Sequence, residues 1–277
     1  MIRPTSDMST GTDLRTTFDA AALDYDAARP GYPAELIEDI ISISAIPENG
    51  RILEIGCGTG QATAPFAKRG YWMTCLDIGK ELAAVAAQKC CRYPKVSIQT
   101  IAFEDWRPGE ERFDLVMSAT SFHWIAPEVR YAKTTRILKN SGYMALFWNL
   151  HPTPYTGFFQ AVQEVYQRVV PEWSGPRNSF STEERIRATE VSINGAGLFE
   201  QVQVRRYPWA KDYSTEEYLR LLNTYSDHRS LEGSKRSRLF GEIGEFIENR
   251  YGGIVTRPYL AVLYIAKRKV EGLRCLQ

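Results

Sequence analysis

The chain has 277 residues, 44% of them hydrophobic and 24% charged, a balance ordinary for a globular protein that buries a proper core. Lys and Arg number 34 against 33 Asp and Glu, and the net charge of +1 lacks the basic excess that a dedicated nucleic-acid binder carries. No apolar run approaches the ~20 residues needed to cross a bilayer, so neither a membrane nor a nucleic acid is expected as a partner.

Residues 1–14 are polar, lack the apolar stretch of a secretory signal, and are expected to form a flexible tail. Arg29-Pro30-Gly31-Tyr32-Pro33 must break any helix before it. A helix is predicted over 34–43, with Leu36, Ile37, Ile40 and Ile41 on one face. A strand over 51–55 runs into the glycine-rich turn Gly56-Cys57-Gly58-Thr59-Gly60, and a helix follows over 61–68. The alternation continues with strands at 72–76, 96–101, 113–118 and 143–148, helices at 80–90 and 128–138, and a turn at 139–142. Repeated strand-then-helix units imply a mostly parallel sheet covered on both faces.

After Asn149 the pattern changes. Residues 151–190 hold four prolines and one long amphipathic helix over 158–169. Ser181-x-x-Glu184 and Ser214-x-x-Glu217 are capping boxes that open further helices. The second of these helices carries Tyr218, Leu221, Leu222 and Tyr225 on one stripe. Strands are expected at 201–207 and 259–266, a last helix over 240–251, and the basic run 235–238 at a solvated helix end. Cysteines 57, 75, 90, 91 and 275 are odd in number and show no Cys-x-x-Cys spacing, which suggests reduced thiols in a cytoplasm and no metal centre.

The strand-to-helix turn needs glycines so that the backbone can bend and a ligand can approach its peptide groups. Three details separate it from a dinucleotide loop. Its third glycine comes one residue early, Glu54 precedes it, and Asp77 ends the next strand, about 20 residues on, where a ribose hydroxyl is bound. On these residues the chain resembles the class I S-adenosylmethionine-dependent methyltransferases, over roughly 15–150. It looks closest to a small-molecule branch that includes trans-aconitate methyltransferase-like proteins. Tyr25, Arg29-Pro30 and Tyr32-Pro33, then Phe103-Glu104-Asp105-Trp106, then His123-Trp124 carry that likeness, and 224–229 fits more loosely.

The resemblance implies a Rossmann-like, mostly parallel seven-stranded α/β sheet with helices on both faces, its cofactor-binding core over 15–150, a helical cap over 151–200, and the C-terminal strands of the sheet with a lid helix over 201–277. It implies S-adenosylmethionine as cofactor and a small-molecule methyl acceptor, a carboxylate or phenol. Gly56, Gly58 and Gly60 should cradle the methionine part and Asp77 the ribose diol. Ile78 should pack on adenine, the backbone at Phe103 should read its edge, and Ala119 should lie under the sulfonium. Ala102 departs from relatives that place an aspartate there.

Glu54 either touches the ligand or fixes the loop by accepting its amide hydrogens, and Asp77 has a plain helix-capping role as its alternative. Trp124 and Trp148 are either core or ring faces that attract the cationic sulfonium. His123 and His228 are the candidate bases if the acceptor must lose a proton. Tyr225 and Arg229, with Trp124 and Trp148, are the candidate acceptor contacts. A nicotinamide-dependent oxidoreductase and a non-catalytic cofactor-binding protein are the rival readings, and the oligomeric state is left open.

Overall fold

The computed structural model describes residues 22–173 and 181–270. The expected tail 1–14, the start of the expected core at 15–21, and Cys275 lie outside the described residues. Two short helices come first, α1 (Ala22–Ala28) and α2 (Ala34–Ser44). Then β1 (Arg51–Ile55), α3 (Thr63–Ala67), β2 (Trp72–Asp77), α4 (Lys80–Cys90) and β3 (Val96–Thr100) alternate. They continue through β4 (Phe113–Ala119), α5 (Pro127–Ile137) and β5 (Leu138–Leu150). The remainder is α6 (Phe158–Ala161), α7 (Gln163–Val169), α8 (Thr182–Gly195), β6 (Gln203–Ser214), α9 (Thr215–Asn223), α10 (Ser226–Arg229), α11 (Gly233–Tyr251) and β7 (Ile254–Lys267).

All seven strands join one sheet in the order β3-β2-β1-β4-β5-β7-β6. β1 pairs parallel with β2 and β4, β3 parallel with β2, β5 parallel with β4, and β7 runs antiparallel against β5. This is a Rossmann-like α/β fold. Central strands in such a sheet are apolar on both faces, as Ile52, Leu53, Leu115, Val116, Met144 and Phe147 are, all buried. The order reverses between β1 and β4, and the crevice beyond the carboxyl ends of strands at such a point is where open α/β sheets take ligands.

Among the described residues the chain divides into two compact units. One is drawn from 31–150, 186–207 and 260–270, the other from 22–30, 151–173, 181–185 and 208–259. The second has its own apolar core, in which Phe158, Val165, Tyr218, Leu222, Ile243 and Ile247 pack together. No helix among the described residues is long and apolar enough to cross a membrane.

Several boundaries differ from expectation. The helix expected over 158–169 breaks at Val162, because the Gln163 side-chain amide donates to the Phe159 carbonyl (3.0 Å) that its own backbone N–H would use. The turn expected at 139–142 lies inside β5, where the six residues from Leu138 to Tyr143 oppose Phe113 to Leu115 and the register shifts across an irregularity. The last helix starts at Gly233, seven residues early, because the Glu232 carboxylate accepts from the Ser234 amide at 3.2 Å; the basic run 235–238 falls in its first turns. Tyr225 lies beyond the end of α9 at Asn223, so it does not share that helix's buried stripe. β6 extends past Tyr207 through Pro208, which an edge strand tolerates. Both capping boxes form: Ser181 and Glu184 exchange bonds of 3.2 and 2.6 Å, and Ser214 and Glu217 bonds of 3.2 and 2.8 Å.

Candidate functional site

The glycine turn is built on two carbonyls and a carboxylate. The Gly56 and Cys57 amides both donate to the Leu76 carbonyl (2.8 and 3.0 Å), and the Gly60 amide to the Cys57 carbonyl (2.9 Å). The Gly58 amide donates to Asp77 Oδ2 at 2.7 Å, while Asp77 Oδ1 accepts from the Gly79 amide at 2.8 Å. Asp77 thus bridges the loop and the residue that caps α4, and Gly79 itself is the N-cap. Gly56 has φ +69°, and a Cβ there would stand 2.3 Å from Ser121 Oγ. Only glycine satisfies both conditions.

Beneath the loop, Glu54 is fully buried. It accepts from the Thr63 hydroxyl at 2.6 Å instead of from the loop amides, which corrects the second of its two expected roles. Its Oε1 has no nitrogen or oxygen partner, and neither has the buried Thr59 hydroxyl. Burial first, then Asp77, pushes the Glu54 carboxyl up to about 8, against the opposing bonds from Thr63 and Cys75. Cys57 is buried and its thiol is driven well up by burial, so it fills the loop and is no nucleophile.

The carboxyl end of β4 forms the other wall. The Ser118 and Ser121 hydroxyls lie 2.6 Å apart and 2.9 and 2.6 Å from the Ile55 carbonyl, so their two hydrogens are shared over three contacts that tie β4 to β1. Ala119, at the strand's end, is partly buried opposite Phe147. Thr120 then adopts φ +61°, a costly conformation for a β-branched residue. Its amide donates to the Phe147 carbonyl (2.9 Å) and its hydroxyl pairs with Tyr32 at 2.8 Å. The chain next makes a single 3-10 turn, Phe122–Trp124. That turn sets the His123 ring 4.8 Å from Trp124 and 6.5 Å from Trp148. Trp148 is buried and also meets Tyr264 edge-on at 5.7 Å; Trp124 is partly buried. Burial first, then Arg130, lowers His123 to about 4, and its Nδ1 is buried with no hydrogen-bond partner.

On the β3 side, Ile78 is partly buried and Phe103 buried. The Lys133 ammonium donates to the carbonyls of Phe103, Glu104 and Trp106, so the 103–106 loop is pinned by a cation at α5. Thr59, Thr63, Ser121, Thr120 and Lys133 were not singled out from the sequence. Small hydroxyl residues and a lone lysine give no signal until the backbone brings them to a carbonyl.

His228, Tyr225 and Arg229 belong to the other unit. His228 is buried and both ring nitrogens are engaged, Nε2 with the Tyr166 hydroxyl at 2.9 Å and Nδ1 with Asp227 Oδ1 at 2.8 Å. Tyr225 lies under the Arg29 guanidinium at 4.5 Å, which also bonds Thr224 through its hydroxyl and carbonyl (2.9 and 3.0 Å). Arg229, in α10, is partly buried.

Residues 52–142, β1 through the first part of β5, match a family described as a methyltransferase domain. An uncharacterized methyltransferase of Schizosaccharomyces pombe is 29% identical over 238 residues, covering 84% of this chain and 87% of that protein. A malonyl-acyl-carrier-protein O-methyltransferase of Geobacter sulfurreducens is 26% identical over 208 residues, covering 70% of this chain and 75% of the other. A solved structure described as a candidate type II methyltransferase of Anaeromyxobacter dehalogenans has the same fold, with TM-score 0.59 at 20% identity over 87% of this chain and 96% of that one. Residues 52–142 carry a methyltransferase domain, and the chain is an S-adenosylmethionine-dependent methyltransferase. The residues present fit that cofactor, since an acceptor carboxylate at Asp77, an unpartnered buried hydroxyl at Thr59 and the turn's tight peptide groups suit a ribose diol with an amino-acid tail.

Proposed function

We propose that the enzyme transfers the methyl group to the ionised oxygen of a small carboxylic acid, acting in the cytoplasm without a nucleic-acid or membrane partner. The observation that carries this reading is the condition of the two candidate bases. His123 is neutral at pH 7 but, at about 4, too weak to take a proton from an alcohol or an ordinary phenol. His228 has both nitrogens committed to Tyr166 and Asp227. An acceptor that arrives already ionised needs no base, and among oxygen acids a carboxylate meets that condition at neutral pH. The carboxyl chemistry in the name of the Geobacter relative supports the same reading, and the trans-aconitate-like branch is kept as part of the proposal on the Tyr32, Phe103–Trp106 and His123-Trp124 motifs.

In this reading Asp77 holds the ribose diol, the Gly56–Gly60 peptide groups and Thr59 hold the amino-acid tail, Ile78 and the Phe103 backbone hold adenine, and Ala119 leaves room beneath the sulfonium. Bound S-adenosylmethionine supplies an activated methyl carbon with a neutral thioether as leaving group. The chain's share of the work is alignment and exclusion of water. Trp124, Trp148 and the neutral His123 ring offer aromatic faces to a cation, each interaction ~0.5–2 kcal/mol. Tyr225 and Arg229 are retained as candidate acceptor contacts.

The test has two parts. Calorimetric titration should show S-adenosylhomocysteine binding and NAD not binding. Acceptor-dependent release of S-adenosylhomocysteine should then be measured across carboxylic acids, phenols, amines and thiols. Turnover confined to phenols or amines would reject the carboxylate reading while leaving the enzyme class intact.

A further inference from the structure

Arg257 lies on β7, two residues before Tyr259, and belongs wholly to the unit that contains α6, α7, α9 and α11. Its guanidinium carbon stands 5.1 Å from the Tyr259 ring centroid, 5.4 Å from Phe159 and 5.9 Å from Tyr225. Its Nε is sealed from solvent and has no hydrogen-bond partner. Burial acts against its charge, and the neighbours that act for it are Tyr225, Tyr259, Tyr218 and Tyr213, none of them a carboxylate. A second guanidinium, Arg29, lies over the same Tyr225 ring at 4.5 Å and over Tyr25 at 4.8 Å, and donates to the Thr224 hydroxyl and carbonyl. Tyr213 and Tyr259 share a hydroxyl bond of 2.9 Å, which fixes two of the rings around Arg257.

An arginine does not escape burial by losing its proton. A buried cation is ordinarily paired with an acid, because leaving it unpaired forfeits its hydration with nothing in return. Here rings surround a guanidinium that bonds the Tyr218 side chain and leaves its Nε–H unused, and no such acid stands among the neighbours acting on it. A planar guanidinium with an unused Nε–H matches an oxyanion, by two parallel hydrogen bonds from Nε and the adjacent nitrogen.

We propose that Arg257, with the tyrosine rings around it and Arg29 on the same Tyr225 ring, is an oxyanion subsite for a small-molecule carboxylate or phosphate. This rests on the reading of the enzyme as one that acts on small anionic acceptors. Because Arg257 keeps its charge at every accessible pH, binding there follows the ionisation of the ligand.

The test is direct binding to the full chain saturated with S-adenosylhomocysteine, at low ionic strength. Probes are glutarate and inorganic phosphate, with neutral glutaramide as control. Saturable binding of glutarate or phosphate and none of glutaramide is expected, and preference between the two anions assigns the ligand to carboxylates or to phosphomonoesters. Arg257→Gln should weaken that binding tenfold or more, and R257K, which keeps the charge but not the fork, severalfold. Should R257Q not fold, the arginine Nε–H resonance of the unaltered protein must still shift on titration with the same anion. Equal binding by R257Q, or no saturable binding of either anion by the unaltered protein, overturns the proposal. S-adenosylhomocysteine binding is read separately, so loss of the cofactor and loss of the anion report on different claims.

Discussion

Glu54 and Asp77 are both acids at the ends of neighbouring parallel strands, yet their surroundings give them opposite tasks. Asp77 accepts from two backbone amides, Gly58 and Gly79. Asp77→Ala is expected to weaken S-adenosylhomocysteine binding by roughly 1–3 kcal/mol, the value of lost charge-assisted hydrogen bonds in a sheltered site. Calorimetry on the folded variant checks it, and unchanged affinity would remove Asp77 from the cofactor site. Glu54 is buried with side-chain bonds from Thr63 and Cys75, and burial raises it to about 8 against them. A raised carboxyl binds more protons folded than unfolded, so its contribution is fully present below its ordinary value of 4.5 and is lost as pH rises through about 8. Denaturant midpoints measured between pH 5 and 9 should therefore fall from pH 5 to about 8 and level off above it. Glu54→Gln, which keeps the shape of the neutral acid, should flatten that fall; an unaltered slope would mean that Glu54 is ionised throughout.

At the scale of elements, the β1-to-α3 turn and the carboxyl end of β4 are one construction. Ser118 and Ser121 hold the Ile55 carbonyl, and Ser121 closes against Gly56 so tightly that a methyl group would overlap it. Gly56→Ala combines a positive φ with that overlap, and a destabilisation of about 1–3 kcal/mol is expected. Combining it with Ser121→Gly should restore the part due to overlap and leave the part due to φ. Chemical denaturation of both variants separates the two contributions. Full recovery in the pair would show that backbone strain at Gly56 is negligible. The elements most legible in the sequence were those with strong local chemistry. Both capping boxes, the parallel strands and the glycine turn stand where their residues place them. The Gln163 side chain that breaks a helix, and the Glu232 carboxylate that begins one, act through single hydrogen bonds that no periodicity announces.

For the whole molecule, a ligand that binds only the folded state stabilises it by mass action. S-adenosylhomocysteine at 100 times its dissociation constant should add ~2.7 kcal/mol, raising the unfolding midpoint by on the order of 5–10 °C for a chain of this size. The increment should be smaller for Asp77→Ala at the same concentration. A scan showing no shift with the unaltered protein would contradict S-adenosylmethionine as the cofactor. The division of the chain into two units, one interrupted by the other, was only partly readable. The end of strand-helix alternation after Asn149 marks a change close to the boundary at Leu150. The assignment of α8 from Ile186 onward to the sheet's unit depends on packing and has no local mark.

What the sequence determined by itself was the class of fold and the cofactor turn. Both depend on short-range requirements: alternating hydrophobic runs that must be buried on two faces, glycines where φ must be positive, and an acid at the end of the next strand. The tertiary structure decided the chemistry of the candidate bases and of the unpaired arginine. His123 became a feeble base because burial and Arg130 oppose its charge, and His228 became a fixed link because Tyr166 and Asp227 take both its nitrogens. Arg257 is one arginine among many in the sequence; only the rings of Phe159, Tyr225 and Tyr259, gathered from distant segments, make it a cation without a partner acid. Protonation and pairing are set by what surrounds a group in space, and neighbours drawn from distant parts of the chain leave no trace in local spacing.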